Sequence, residues 1–432
     1  MIPAHIVTSQ HIELEELKQL ATSLGADDVG VVDIDDPALD VDRTDLLAAF
    51  PRARTLVALV SRMNREPIRS PARSIANLEF HDRTEHVNEV ARELVAALER
   101  RGISALNPSA GFPMEMHRFP GKTWIVSHKL VAQAAGLGRI GIHRNLIHPR
   151  FGSFVLLATV AIAARVAAHD SPIDFNPCMT CKLCVAACPV GAIAPDGRFD
   201  FGACYTHNYR EFMGGFGDWV ENVVASKDAR DYRRRFDDGE TSSMWQSLAF
   251  GPNYKAAYCM AACPAGEDVI GPYARDKAQF LEDVLQPLRS KEEAVYVLPG
   301  SDAELHVRKR FPRKHVRLVG TRLRPRTIEG FLRGLPLVFQ RSRSKDLHIR
   351  YHFDFTGDSP TQVTVAIDDG EVVVELGHQG RPDIHVRVDG RRWLEILAGD
   401  RSILAAILTR RLRARGPVRL LRTFGRCFGV DA

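Results

Sequence analysis

The chain has 432 residues, of which 45% are hydrophobic and 26% charged. This describes an ordinary soluble globular protein of two or three domains with a sizeable core, and the sequence shows neither a fixed-period repeat nor a low-complexity tract. The formal net charge of +5 is mild, which excludes a uniformly basic surface, but it is unevenly placed: residues 307–326 carry nine Lys or Arg and no acid, and a second basic run fills 409–428. Such runs are either solvated faces or contacts for an acidic partner such as a lipid headgroup or nucleic acid.

In chain order, the N-terminal stretch shows neither a signal-peptide pattern nor a twin-arginine motif, so a cytoplasmic location is expected. Ile12, Leu17, Leu20 and Leu24 predict a short amphipathic helix that Gly25 can end. "DVGVVDI" (28–34) and "TLVALVS" (55–61) read as strands, and Val87, Val90, Leu94 and Leu98 predict a helix closed by Gly102. Residues 126–147 read as a helix running into a glycine-rich turn. The apolar "FVLLATVAIAA" (154–164) that follows is too short to span a bilayer and is expected to be a buried strand. Helices alternating with apolar strands predict a layered α/β domain over 1–170. Residues 171–275 hold the cysteines, and 276–325 read as a helix followed by a basic connector.

From about 326 to 432 the texture changes. Tyr351, Phe353 and Phe355 alternate with His352 and Asp354, and the same period of two recurs at Val363–Ile367, Val372–Leu376 and Ile384–Val388. Asp368-Asp369-Gly370 is a hairpin turn. Four consecutive strands followed by helical sequence predict a separate antiparallel α+β domain.

Seven of the eight cysteines cluster between 178 and 263. Cys178, Cys181, Cys184 and Cys188 follow C-x2-C-x2-C-x3-C, with Pro189 next. This is the bacterial ferredoxin run, whose fourth cysteine ligates the neighbouring cluster. Structural zinc usually pairs two C-x2-C knuckles instead. Cys259 and Cys263 repeat C-x3-C-P, but a full second run would need a cysteine at Ala256. Exchange of the C-P cysteines gives one [4Fe–4S] cluster Cys178, Cys181, Cys184 and Cys263. The second cluster then has Cys188, Cys204 and Cys259, and is either [3Fe–4S] or [4Fe–4S] with a non-cysteine or open fourth position. Tyr254, Tyr258 and His207 are the nearby side chains for that position. Cys427 stands apart and is expected to be buried as a small hydrophobe.

The segment "AAGLGRIGIHRNLIHPRFGSF" (134–154), together with the cysteine module and its detached Cys204, resembles the epoxyqueuosine reductase and reductive dehalogenase superfamily over about residues 10–275. The resemblance implies a cobalamin-dependent iron–sulfur enzyme, with the corrin approached by Gly138, Gly141, Phe151, Gly152 and Ser153. The acid that epoxyqueuosine reductases carry before this segment is absent; Lys122 or Thr123 stands in its place. By residue type, the local proton-donor candidates are Lys122, His128 and His143. The C-terminal region resembles the sterol carrier protein type 2 fold, which implies a tunnel for an apolar or lipid-like ligand.

Three functions follow as expectations. The first is an iron–sulfur reductase acting with cobalamin on an apolar or lipid-like substrate. The second is a corrin-free electron-transfer protein with a docking domain, and the third a lipid-binding regulator that senses redox state. The expected partners are a ferredoxin- or flavodoxin-like electron donor, a small apolar ligand, and a membrane surface met by the basic segments. Nucleic acid is not expected.

Overall fold

The computed structural model describes residues 11–178, 180–320 and 324–429; the start of the N-terminal stretch and part of the first basic run lie outside the described residues. The N-terminal sheet has four strands in the order Asp28–Asp33, Thr55–Arg62, Val155–Ile162, Ala105–Leu106, every pair antiparallel. The period of two sorts its side chains between two cores. Val29, Val31, Val57 and Leu59 pack on the helices Leu14–Ser23 and Arg73–Arg100. Leu56, Ala58 and Val60 pack on the helices Asp40–Ala49 and His128–Ala134. The result is a sheet between two helical layers, as the alternation of helices and strands predicts. Ile12 leaves the expected helix and pairs in parallel with Val166.

The cysteine region adds short helices at Leu183–Ala187, Phe201–His207 and Tyr258–Ala261. Between them stand three helices that apolar periodicity did not reveal: Gly214–Ala225, Ala229–Arg235 and Asp238–Phe250. The expected basic connector is folded. Ala294–Val297 pairs in parallel with His315–Leu318, and the helix Asp302–Arg310 lies between them in sequence. Val295, Val297, Val307 and Phe311 share a core with Cys184 and Cys188. Several cations of the first run are spent internally: Lys314 Nζ lies 2.6 Å from Glu293 and Arg317 2.6 Å from Glu240.

The C-terminal domain is a five-stranded sheet ordered Glu371–Leu376, Thr361–Asp368, His348–Thr356, Ile384–Asp389, Leu412–Arg415. It is mixed rather than antiparallel, because Ile384–Asp389 returns parallel to His348–Thr356. One face buries Tyr351, Phe353, Phe355, Trp393, Phe424 and Phe428 under the helices Ile328–Val338 and Arg419–Cys427. Cys427 is fully buried there. No helix among the described residues is long and apolar enough to cross a membrane.

Candidate iron–sulfur and cofactor site

Two loops of like backbone present the sulfurs. Lys182 and Ala257 both take φ 56°, each as the residue before a short helix. This aligns Cys184 with Cys259, Cys188 with Cys263, and Cys181 with Ala256. The side-chain oxygen of Asn208, one turn beyond Cys204, accepts the Ala256 and Ala257 amides at 3.0 and 2.8 Å. Cys204 is thereby tied to the second loop, although the bonded residues lie 48 and 49 positions apart in sequence.

Electrostatic contact joins the thiols in two overlapping neighbourhoods, which meet where Cys259 acts on Cys184 and Cys263 on Cys259. Burial raises Cys263 to about 11, and Cys181 and Cys178 add to the rise. Burial likewise raises Cys184, which feels Cys259, Cys263, Cys178 and Cys181. The second group is Cys188, Cys204 and Cys259. Cys204 is raised by burial and then by Cys188 and Cys259, and Cys259 is pushed up to about 12 by burial and then by Cys188. Desolvated thiols of this kind become thiolates only when a cation joins them. Among the described residues no three of these sulfurs lie within 4.8 Å of one another. Donors also converge on the sulfur atoms: the Ala192 amide reaches Cys188 Sγ at 3.3 Å, and Asn145 Nδ2 reaches Cys259 Sγ at 3.8 Å.

The three-cysteine group opens onto a cavity of about 590 Å³ between the N-terminal sheet domain and the cysteine module. Lys122, His128 and His143 all line it, but they differ in what they can offer. His128 is locked, with Nε2 on the Ser109 carbonyl and Nδ1 on the Thr159 hydroxyl, both at 2.9 Å. The Lys122 ammonium is held by Asp42 at 2.6 Å, the Ile125 carbonyl at 2.9 Å and Asp45 at 3.3 Å. Asp42, 2% exposed, thus brings a carboxylate to the wall where the resemblance leads one to look for an acid, but from a different helix. His143 Nδ1 accepts the Asn145 amide, which leaves the proton on Nε2, and that nitrogen is buried without a partner. Burial, with Lys129 beside it, lowers His143 to about 4 and keeps it neutral.

The glycine segment lies elsewhere. Gly138, Gly141, Phe151, Gly152 and Ser153, which the resemblance sets against a corrin, do not line this cavity. Gly141, Gly152 and Ser153 lie against the cysteine loops. A Cβ on Gly152, at φ 65°, would stand 2.0 Å from the Ala265 carbonyl, and one on Gly141 would stand 3.1 Å from Cys178 Sγ. The Ser153 hydroxyl sits at the Met260 carbonyl and at Cys263, and the Phe151 ring stacks on His148 at 4.7 Å.

Of the fourth-ligand candidates, the Tyr258 hydroxyl is taken by Glu293 at 2.8 Å. Tyr254 stacks on Phe212, its hydroxyl raised to about 12 by burial and then by Cys204. His207 lines the cavity with a buried, unpartnered Nε2. Sequence reasoning missed Lys129, Asn145 and Tyr209. Lys129 Nζ is fixed by the Arg144 carbonyl at 2.8 Å and Asn145 at 2.9 Å. It stands within electrostatic reach of Cys259 and Cys204, as does Tyr209. The signal for Lys129 was a lone cation beside the apolar residues of "HKLVAQA".

Comparison with known proteins supports this composition. Residues 171–194 match the model of the 4Fe-4S binding domain, and residues 339–429 that of the SCP-2 sterol transfer family. An epoxyqueuosine reductase of Cellulophaga algicola is 31% identical over 117 residues, 25% of this chain and 38% of that protein. The match thus spans well under two thirds of that relative's own length. Among solved structures, an epoxyqueuosine reductase with a tRNA stem loop has a TM-score of 0.33 at 20% identity, covering 46% of this chain and 60% of the other. A reductive dehalogenase, described with a mechanism for B12-dependent dehalogenation, has a TM-score of 0.36 at 17% identity, covering 57% and 37%. An epoxyqueuosine reductase-like portion and an SCP-2 domain are joined in one chain.

Proposed function

We propose that the chain is an iron–sulfur reductase that delivers single electrons from two clusters to a corrin held in the cavity, for use on an apolar or lipid-like substrate. The observation that supports this most is that the incomplete, three-cysteine neighbourhood is the one facing the cavity. Cys178, Cys181, Cys184 and Cys263 would hold the first cluster, and Cys188, Cys204 and Cys259 the second. The cavity suits a large cofactor with a polar edge, since His143 Nε2 and His207 Nε2 are buried, without partners, in its wall. Those two imidazoles, Lys129 and Trp124 would hold it. A bound corrin supplies a reducible cobalt centre that takes electrons one at a time.

The remaining roles belong to the chain itself. The Lys122–Asp42 pair closes one wall, while Phe212 and Tyr254 exclude water from another. His143 holds a proton at Nε2 where a bound molecule can receive its hydrogen bond. In the C-terminal domain, Trp393 Nε1 is buried without a partner among aromatic rings, as a donor awaiting a ligand's polar head would be. The exposed Leu404 and Leu408, followed by the exposed Arg410, Arg411 and Arg413, suit contact with an anionic lipid surface.

The test is anaerobic reconstitution with iron and sulfide followed by titration with hydroxocobalamin. The proposal expects saturable binding with a shifted corrinoid spectrum, weakened by His143→Ala. A cluster-loaded chain with no cobalamin affinity would leave the corrin-free electron carrier. Tighter binding of a tRNA stem loop than of fatty-acid vesicles would replace the lipid-like substrate with RNA.

A further inference from the structure

The outer face of the C-terminal sheet, away from its aromatic core, carries a second donor set unrelated to the cysteines. Asp354 lies on the strand His348–Thr356, His385 on its parallel neighbour, and His378 on the loop after Glu371–Leu376. One ligand atom from each lies within 4.8 Å of the other two, the only such trio among the described residues. The carboxylate straddles the imidazoles: His385 Nε2 is 2.8 Å from Oδ2 and His378 Nε2 is 3.1 Å from Oδ1.

A plain hydrogen bond accounts for His385 but not for His378. Its Nε2 is buried and makes no hydrogen bond despite its closeness to the carboxylate. Two donors about 2.1 Å from one ion, at right to tetrahedral angles, lie about 3.0–3.4 Å apart. Close approach without hydrogen-bond alignment is the arrangement of co-ligands.

The surroundings fix the ligands, as outer-shell partners do in metal sites. Gln362 Nε2 donates to Asp354 Oδ1 at 3.1 Å. The loop carrying His378 is pinned to the neighbouring strand, since the Thr364 hydroxyl donates to the Gly377 carbonyl at 2.9 Å and accepts the Gln379 amide at 2.8 Å. The ring of His352 stacks flat on His378, with centroids 4.2 Å apart and planes 10° apart, while its Nε2 is held by the Gln379 carbonyl. Among the described residues no Lys or Arg pairs with Asp354. Side-chain exposures of 18–29% leave the site open on one side.

We propose that Asp354, His378 and His385 bind one divalent first-row transition metal, of which zinc is the probe, with open positions toward solvent. Two imidazoles and one carboxylate on one face of the ion form a known donor set for such metals.

The experiment uses the full chain with its clusters reconstituted, dialysed against Zn²⁺ and analysed for zinc, iron and sulfide. The wild type should retain about one zinc per chain with its iron intact. His378→Gln and His385→Gln should each weaken zinc binding at least about tenfold, and Gln362→Leu more modestly. Zn²⁺ should raise the unfolding temperature of the wild type but not of His378→Gln, whose loop position leaves the sheet intact. No retained zinc in the wild type, or equal retention in all the variants, would overturn the proposal. Zinc taken up at the expense of iron is binding at the cysteines; it would persist in the histidine variants and count against the site.

Discussion

Ala256 stands where the first loop has Cys181, and this residue sets the asymmetry of the two neighbourhoods. It is 4% exposed and its amide is already held by Asn208, so Ala256→Cys adds a sulfur without asking the backbone to move. The second cluster's electron paramagnetic resonance signal should change in that variant while the first cluster's stays; identical spectra would place the fourth corner elsewhere. The cysteine spacing made this vacancy readable in the sequence. The proton donors were not readable, because residue type alone cannot distinguish His128, with both nitrogens satisfied, from His143, with one left over. The two cavity histidines also carry a pH signature. Burial holds His143 at about 4 and His207 at about 3, against an unfolded 6.5. Both therefore stay neutral in the fold, and the stability they contribute is complete above 6.5 and lost as pH falls toward those lower values. Denaturant unfolding at about pH 7 and about pH 5 should differ by on the order of 1–2 kcal/mol for each histidine. In His143→Gln the loss should shrink; an unchanged slope would mean the imidazole is not buried neutral.

At the scale of elements, the glycine segment was noticed in the sequence, but its protein neighbours were not. A glycine-rich turn announces that something comes close, but not what. Here the close object is protein: the Ala265 carbonyl at Gly152 and the Ile147 carbonyl at Gly138, where a Cβ would sit 2.3 Å away. Gly152→Ala faces both that contact and an unfavourable φ, for which about 1–3 kcal/mol is expected. The loop carrying Cys263 should be displaced, so iron content should fall mainly at the first cluster; full iron loading would contradict this docking. The helices between residues 214 and 250 escaped the periodicity reading because their apolar residues face outward: Phe216, Val220, Val224 and Trp245 are exposed. Their starts were nonetheless written in the sequence, since Asp228 accepts the Arg230 and Asp231 amides and Asp237 accepts that of Glu240. The mixed C-terminal sheet was missed for another reason. Alternation fixes which side chains face the core, whereas strand direction follows from the connection after Leu376.

At the scale of the molecule, the C-terminal domain leans on the helix that carries Cys204. A Cβ on Gly202, two residues before Cys204, would stand 1.9 Å from the Leu337 carbonyl of the helix Ile328–Val338. Gly202→Ala should therefore loosen this contact and speed proteolysis between His315–Leu318 and Ile328–Val338, whereas wild-type rates would show that the helices need not touch. No sequence pattern announced this contact, because each helix reads as complete within its own domain. Everything proposed for the whole chain rests on the division of seven sulfurs into four and three. The most direct test is iron and acid-labile sulfide per chain in reconstituted Cys178→Ala and Cys188→Ala, read beside the wild type by electron paramagnetic resonance. Cys178→Ala should weaken or abolish the first cluster's signal and keep the second's, and Cys188→Ala the reverse. If either variant keeps the full iron content and both signals, the division is wrong.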